Sequence, residues 1–217
     1  MTETMKHFKL RTDLTIKVGV KTLYRIEATK DITKFCVKVG DLGGYIEKEE
    51  NLSGNAWVSD LAQVSGDARV YGNAWVCDNA LVCENAQVSG DALVYGNAWV
   101  YGDAWVSGDA CVSGDARASG NARVYGNARV YGNAEVYGDK IEKENDLINI
   151  TSNAGSYNIT ITPNHIKIGC QYHSKTAWFK FTDDEIVKMD GEKAVMWWKT
   201  WKPILQAICD GLKGEKE

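Results

Sequence analysis

A six-residue unit fills the middle of this chain and restricts its folding more than any other feature. From Gly54 to Tyr137, fourteen consecutive hexads run Gly, Asp or Glu, then Asn or Asp, then Ala, a variable residue, Val and a second variable residue; Leu61 and Ala118 are the two departures. A unit this short cannot bury its own apolar face, so it must stack on copies of itself. Ala and Val stand two residues apart, so on an extended strand both point to one side while the variable residues point to the other. The first two positions are turn chemistry, because Gly, Asn and Asp tolerate left-handed or tight backbone conformations. A short strand followed by a corner, repeated, has to coil. The segments KEENLS (48–53) and LGGYIE (42–47) fit the same frame loosely, extending it towards the N-terminus.

Hexapeptide periodicity of this kind is a signature of a parallel β-helix. The hexads resemble the left-handed β-helix family of hexapeptide-repeat proteins, in which three hexads make one triangular coil; the resemblance covers roughly 42–139. The left hand comes from that resemblance alone, since the general rule for parallel crossovers gives the right hand. Ala and Val suit a narrow interior, each buried Val contributing about 1.5–3 kcal/mol, with ladders between coils about 4.8 Å apart. The expected fold is mainly β: a left-handed parallel β-helix over 42–139, an N-terminal β cap over 1–41 and a C-terminal α+β extension over 140–217.

In the flanks, LTIKVGV and TLYRIEA read as a hairpin able to cover the first coil, whose open end would otherwise present unpaired backbone. The charged KIEKEND marks a boundary after Lys140, and YNITITPNHIKIGC reads as two alternating strands around a Pro-Asn turn. Thr182 and Glu185 form a capping box for a short helix ending near Gly191. A second helix starts near Glu192, with Pro203 expected to kink or split it and Val195, Trp198, Trp201 and Leu205 at the spacing of a docking face. GDLGGYIEKEENLS leading into GNAWV-type hexads, with IGCQYH, FTDDEI and MDG near the end, resembles phage and prophage hexapeptide-repeat proteins.

The net charge of −4, with no basic tail, disfavours non-specific binding to long nucleic acid or to an anionic membrane. Residues Met1 to Leu10 lack an apolar signal region and no window reaches membrane-spanning length, so the expected location is the cytoplasm, that of a host cell if the chain is phage-encoded. The six cysteines lack a CxxC pair and are expected to be reduced thiols.

Many hexapeptide-repeat relatives are acyltransferases with a histidine presented from a coil as general base. Here His7, His165 and His173 all lie outside the hexads, which makes acyl transfer the least favoured function and argues against a three-histidine zinc site. Cys170, His173 and His165 lack a fourth ligand and read as a core cysteine and surface histidines. Asp183 to Glu185 read as helix-start residues. No phosphate-loop ending follows the glycines, and no cofactor, metal or catalytic residue is expected.

With three hexads per coil, residues eighteen apart stack on one face. The variable fourth positions then sort into Trp57, Trp75, Leu93, Cys111 and Arg129 on the first face, Gln63, Leu81, Trp99, Arg117 and Glu135 on the second, and Arg69, Gln87, Trp105 and Arg123 on the third. Trp57, Trp75 and Leu93 form an apolar stripe that needs covering, by a neighbour in a homotrimer or by the chain's own flanks. Arg117, Arg123 and Arg129 follow one another around a single coil, with Trp99 and Trp105 one coil below and Tyr125, Tyr131 and Tyr137 beside them. Guanidinium groups grip phosphate and aromatic planes stack bases, although Arg over Trp is also an ordinary cation–π ladder. The expectation is a non-enzymatic, phage-like binding protein that sequesters a small anionic ligand, such as a cyclic or ADP-ribose-type nucleotide immune signal, at subunit interfaces. A structural or protein-interaction module with the β-helix as rigid spacer is the alternative.

Overall fold

The computed structural model describes residues 6–151 and 157–212. Its centre is a parallel β-solenoid with three faces, and each hexad contributes one short strand to one face. The first face stacks Trp57–Val58, Trp75–Val76, Leu93–Val94, Cys111–Val112 and Arg129–Val130. The second stacks Gln63–Val64, Leu81–Val82, Trp99–Val100, Arg117–Ser119 and Glu135–Tyr137. The third stacks Arg69–Val70, Gln87–Val88, Trp105–Val106, Arg123–Val124 and Lys140–Ile141. The faces are those expected from an eighteen-residue turn. The repeat's Ala and Val side chains are 0% exposed from Ala56 to Val136, which confirms that they fill the axis.

The corners explain the first position of the repeat. Gly54, Gly72 and their equivalents hold φ near +70°, and a Cβ added to Gly54 would lie 2.9 Å from the backbone of Gly72 on the next turn. Asp60, Asp78 and Glu84 occupy the same left-handed conformation without being glycine. Each offers a carboxylate to the backbone N–H one turn above: Asp60 to Asp78 at 3.3 Å, Asp78 to Gly96 at 2.9 Å and Glu84 to Gly102 at 2.8 Å. These bonds offset the strain of a side chain at φ > 0. At the second position, the Asn73, Asn85 and Asn97 amides donate to Asp91, Asp103 and Asp115, each at 3.0 Å, and Asn79 donates to Asn97 at 3.2 Å. The corners are thus held by side-chain ladders that run parallel to the backbone ones.

The N-terminal residues extend and plug the solenoid. Strands β1 (Phe8–Val18) and β2 (Lys21–Ala28) pair antiparallel. Strand β3 (Leu42–Ile46) pairs antiparallel with β2 and parallel with Gln63–Val64, so LGGYIE serves as the first rung of the second face. Phe8, Ile26, Ile32, Val37 and Leu52 join the axial core.

The last rung, Lys140–Ile141, extends the stacking slightly beyond the expected boundary at 139. A four-stranded antiparallel sheet follows, Ile148–Ile150, Ile159–Ile161, His165–Ile168 and Gln171–Ser174, of which the sequence pattern revealed only the middle pair. Helices α1 (Lys175–Lys180) and α2 (Asp183–Gly211) pack on this sheet. Thr182 and Glu185 make the expected capping box, and α2 breaks at Asp190 and Gly191. That break falls where the first helix was expected to end, at a glycine with positive φ, whereas the further split expected at Pro203 is absent: the dihedral angles stay helical through it. Val195, Trp198 and Leu205 are buried against the sheet, and Trp201 stacks on Trp197 at 5.4 Å.

Candidate functional site

On the first face the chain's own N-terminal segment covers Trp57 and packs against Trp75. Trp57 is 2% exposed; its ring sits 6.4 Å from that of His7, in space that a side chain at Gly43 would fill. This corrects the expectation of Trp57 as a subunit contact. Trp75 is half-buried, 5.2 Å from the Phe35 ring, and donates its indole N–H to Ser59 at 3.1 Å. Leu93 is half-buried on the next rung. The fold thus covers Trp57 and part of Trp75 from within the chain, and Trp75 and Leu93 keep partly exposed surface on this face.

The exposed tryptophans lie on the other two faces, Trp99 at 41% and Trp105 at 38%. Arg117 stands over the Trp99 ring at 5.2 Å and Arg123 over Trp105 at 5.3 Å, each pair in register on neighbouring rungs. An exposed pair of this type contributes about 0.5–1 kcal/mol. The two cation–π pairs and Arg129 point from three different faces, so one chain does not gather the three arginines into a single pocket.

What lies on the following rung separates the three. Arg117 has Glu135 as its register partner above. Arg129 has the Glu144 carboxylate 3.8 Å from its Nε; it borders a cleft of about 680 Å³ that also involves Tyr131, Tyr95 and the end of α2 at Ile208. Arg123 has Lys140 above it, a second cation. Among the described residues neither Arg123 nor Lys140 forms an ion pair.

Together with Trp105, Ser107 and Tyr125, these two cations line a cleft of about 530 Å³ on the third face. Trp105 is fixed by its indole N–H donating to Ser89 at 3.2 Å, and the Tyr125 hydroxyl donates to Glu142 at 3.2 Å. Local desolvation, followed by the Glu142 charge and this hydrogen bond, raises the Tyr125 phenol above its ordinary value, so it stays a neutral donor at physiological pH. The structure therefore brings Trp105, Arg123 and Tyr125 together. Trp99 with Arg117, and Arg129 with Tyr131, stand in separate places.

Sequence reasoning missed Lys140. Continuing the hexad frame from Gly138 puts Lys140 at the inward third position and Ile141 at the outward fourth, but Arg123 pairs with Lys140 seventeen residues on, and Ile141 is 0% exposed. One residue is dropped at the last corner. The available signal was the apolar residue, since only Ile141 can occupy the axis.

The remaining chemical candidates are engaged elsewhere. His173 lies 3.2 Å from Gln171 and edge-on to Trp178 and Phe181, while His165 contacts Asp139. Among the described residues no group of three or more His, Cys, Asp or Glu is placed to hold a metal ion. The six cysteines are free thiols, and burial first, with Asp78 and Asp60 nearby, pushes the Cys77 thiol up to about 12. No helix among the described residues is long and apolar enough to cross a membrane.

The model of a family described as the YdcK beta-solenoid repeat matches residues 62–78, 86–102, 116–130 and 122–138. All four stretches lie in the solenoid, which supports a β-solenoid repeat protein. They include Arg117, Arg123 and Arg129 and exclude Trp105 and Lys140. No curated protein matches the chain.

Proposed function

We propose that this β-solenoid is a non-enzymatic binding protein for a small anion that carries a planar group, with the third-face cleft as its site. The observation that carries the reading is the stacking of Arg123 and Lys140 on adjacent rungs above the exposed ring of Trp105. Like charges in register repel, so an uncompensated pair costs stability that a bound phosphate would return. Arg123 grips the anion, Lys140 adds charge from above, and Trp105 and Tyr125 supply aromatic surface for a base. A nucleotide of the cyclic or ADP-ribose type has that chemistry. In this reading side-by-side association of chains would deepen the cleft, but its groups all come from one chain.

The test is calorimetric titration with ADP-ribose, 3′,5′-cyclic AMP and inorganic pyrophosphate. The expected result is saturable nucleotide binding, tighter than pyrophosphate and weakened at least about tenfold, or about 1.4 kcal/mol, by Arg123→Ala but not by Arg117→Ala. Absence of binding by all three probes, or an Arg123→Ala protein that binds normally, would overturn the assignment.

A further inference from the structure

The cleft beside Arg129, between the first face of the solenoid and the end of α2, differs in chemistry from the one on the third face. Its volume of about 680 Å³ falls within the range of ligand pockets, about 300–1,000 Å³. The sixth positions of three successive hexads on this face are Tyr95, Ser113 and Tyr131, and all three line the cleft. Their strands are neighbours in the ladder: the Tyr95 N–H donates to the Val112 carbonyl at 3.0 Å and the Ser113 N–H to that of Val130 at 2.9 Å. Rungs about 4.8 Å apart therefore carry the two tyrosines about 9.6 Å from one another, with only the short Ser113 side chain between them. Aromatic partners settle with centroids about 4.5–7 Å apart, so this interval accepts one planar ring in contact with both tyrosines. Asn149 steadies the upper one by donating to the Tyr131 carbonyl at 3.3 Å, and Ile208 and Leu212 of α2 add apolar wall.

The charged groups on this lining are of both signs. The side chains of Arg129 and Glu144 are 63% and 61% exposed, and Arg129 Nε lies 3.8 Å from Glu144 Oε1, beyond hydrogen-bond range. Exposed pairs of this kind contribute little, so both groups keep bonding capacity for a guest. Where the third-face cleft presents two cations, this one presents a cation and an anion together, which favours a guest that carries one charge of each sign.

We propose that this cleft binds a free aromatic amino acid, with its ring between Tyr95 and Tyr131, its carboxylate on the Arg129 guanidinium and its ammonium on Glu144. The site is separate from the third-face cleft and independent of the function proposed for it.

L-Tryptophan, tryptamine and indole-3-propionate test this, since they share a ring and the last two each lack one charged group. In calorimetric titrations of the full chain, L-tryptophan is expected to bind saturably and each analogue at least about tenfold more weakly, as a site built to hydrogen-bond a group rejects the analogue lacking it. Arg129→Gln should lower the affinity for L-tryptophan to that for tryptamine and leave tryptamine binding no weaker, a split that a merely structural loss would not give. Ser113→Tyr, which puts into the gap a residue that the repeat carries at this position in Tyr71 and Tyr101, should abolish binding. Should that variant unfold, L-tryptophan is expected to slow alkylation of Cys111, a thiol on the cleft lining, in the unaltered protein. Absence of L-tryptophan binding, equal affinity for the three probes, undiminished binding by a folded Ser113→Tyr protein or an unchanged alkylation rate at Cys111 would overturn the proposal.

Discussion

Arg123 and Lys140 are register partners on adjacent parallel strands, two cations stacked above the ring of Trp105 with no ion pair to either among the described residues. Reversing one charge separates stability from binding. Lys140→Glu turns a repulsive neighbour into an attractive one and is expected to stabilise the ligand-free protein by about 0.2–1 kcal/mol in urea melts. The same change should remove the stabilisation conferred by added nucleotide. A Lys140→Glu protein less stable than the unaltered one would show that the two cations are not in tension.

The corner carboxylates give a prediction about the solenoid itself. Glu84 holds φ +62° and accepts from Gly102 one turn above at 2.8 Å. Glu84→Ala keeps the unfavourable backbone and loses the charged acceptor, at an expected cost of about 1.5–3 kcal/mol. Glu84→Gly loses the same bond but relieves about 1–2 kcal/mol of left-handed strain, and should recover much of the difference. Chemical denaturation of the two variants checks the order; an alanine variant as stable as the glycine one would mean that the backbone strain at this corner is negligible.

The solenoid could be read in advance because one strict rule governs it: Ala and Val at fixed spacing can only line an axis, and the eighteen-residue stacking follows. The Arg123–Trp105 and Arg117–Trp99 pairs were legible for the same reason. What escaped lay where the rule stops. Lys140 reaches the cleft through a single dropped residue, which periodicity cannot forecast. Trp57 reads as an exposed stripe residue because nothing local reveals that His7, some fifty residues earlier, packs beside it. Pro203 reads as a kink or split, yet α2 keeps helical dihedral angles through it and breaks at Asp190 and Gly191, where the sequence expected the first helix to end.

His7 makes the N-terminal plug sensitive to pH. Its ring is buried, with Nε2 2.8 Å from the Ala56 carbonyl and Phe8 edge-on at 5.1 Å. Burial, aided by the charge of Lys30, holds its pKa below the ordinary 6.5, against an upward pull from the Ala56 hydrogen bond. The unfolded chain therefore takes up the proton first. The stabilisation is complete above the unfolded value and is lost as pH falls through the depressed folded one. The melting temperature should drop more steeply between about pH 7.5 and 5.5 in the unaltered protein than in His7→Gln. Parallel curves for the two proteins would contradict this origin.

At the opposite end, Asp139 ties the solenoid to the C-terminal sheet. Its carboxylate is buried and accepts from Thr162, from Asn164 at 3.2 Å and from Tyr172 at 3.0 Å, and lies 2.9 Å from His165 Nδ1; its backbone carbonyl accepts from Arg123 N–H at 2.8 Å. Burial, then the Asp139 charge and hydrogen bond, pushes the Tyr172 phenol well above its ordinary range. Asp139→Ala would strand several donors at once, of which Thr162 is fully buried. Each buried donor left unpaired costs about 1–3 kcal/mol. Because these donors all sit on the hairpin 159–174, the loss should be local: hydrogen exchange is expected to accelerate there and at the last rung, Arg123 to Ile141, while the amides of the early turns stay protected. Uniform acceleration along the chain would instead mean that solenoid and C-terminal sheet unfold as one unit. Lys140 follows Asp139 directly, so the variant should also weaken nucleotide binding by letting the last rung move, and Asp139→Asn, which keeps one acceptor oxygen, should restore part of both properties.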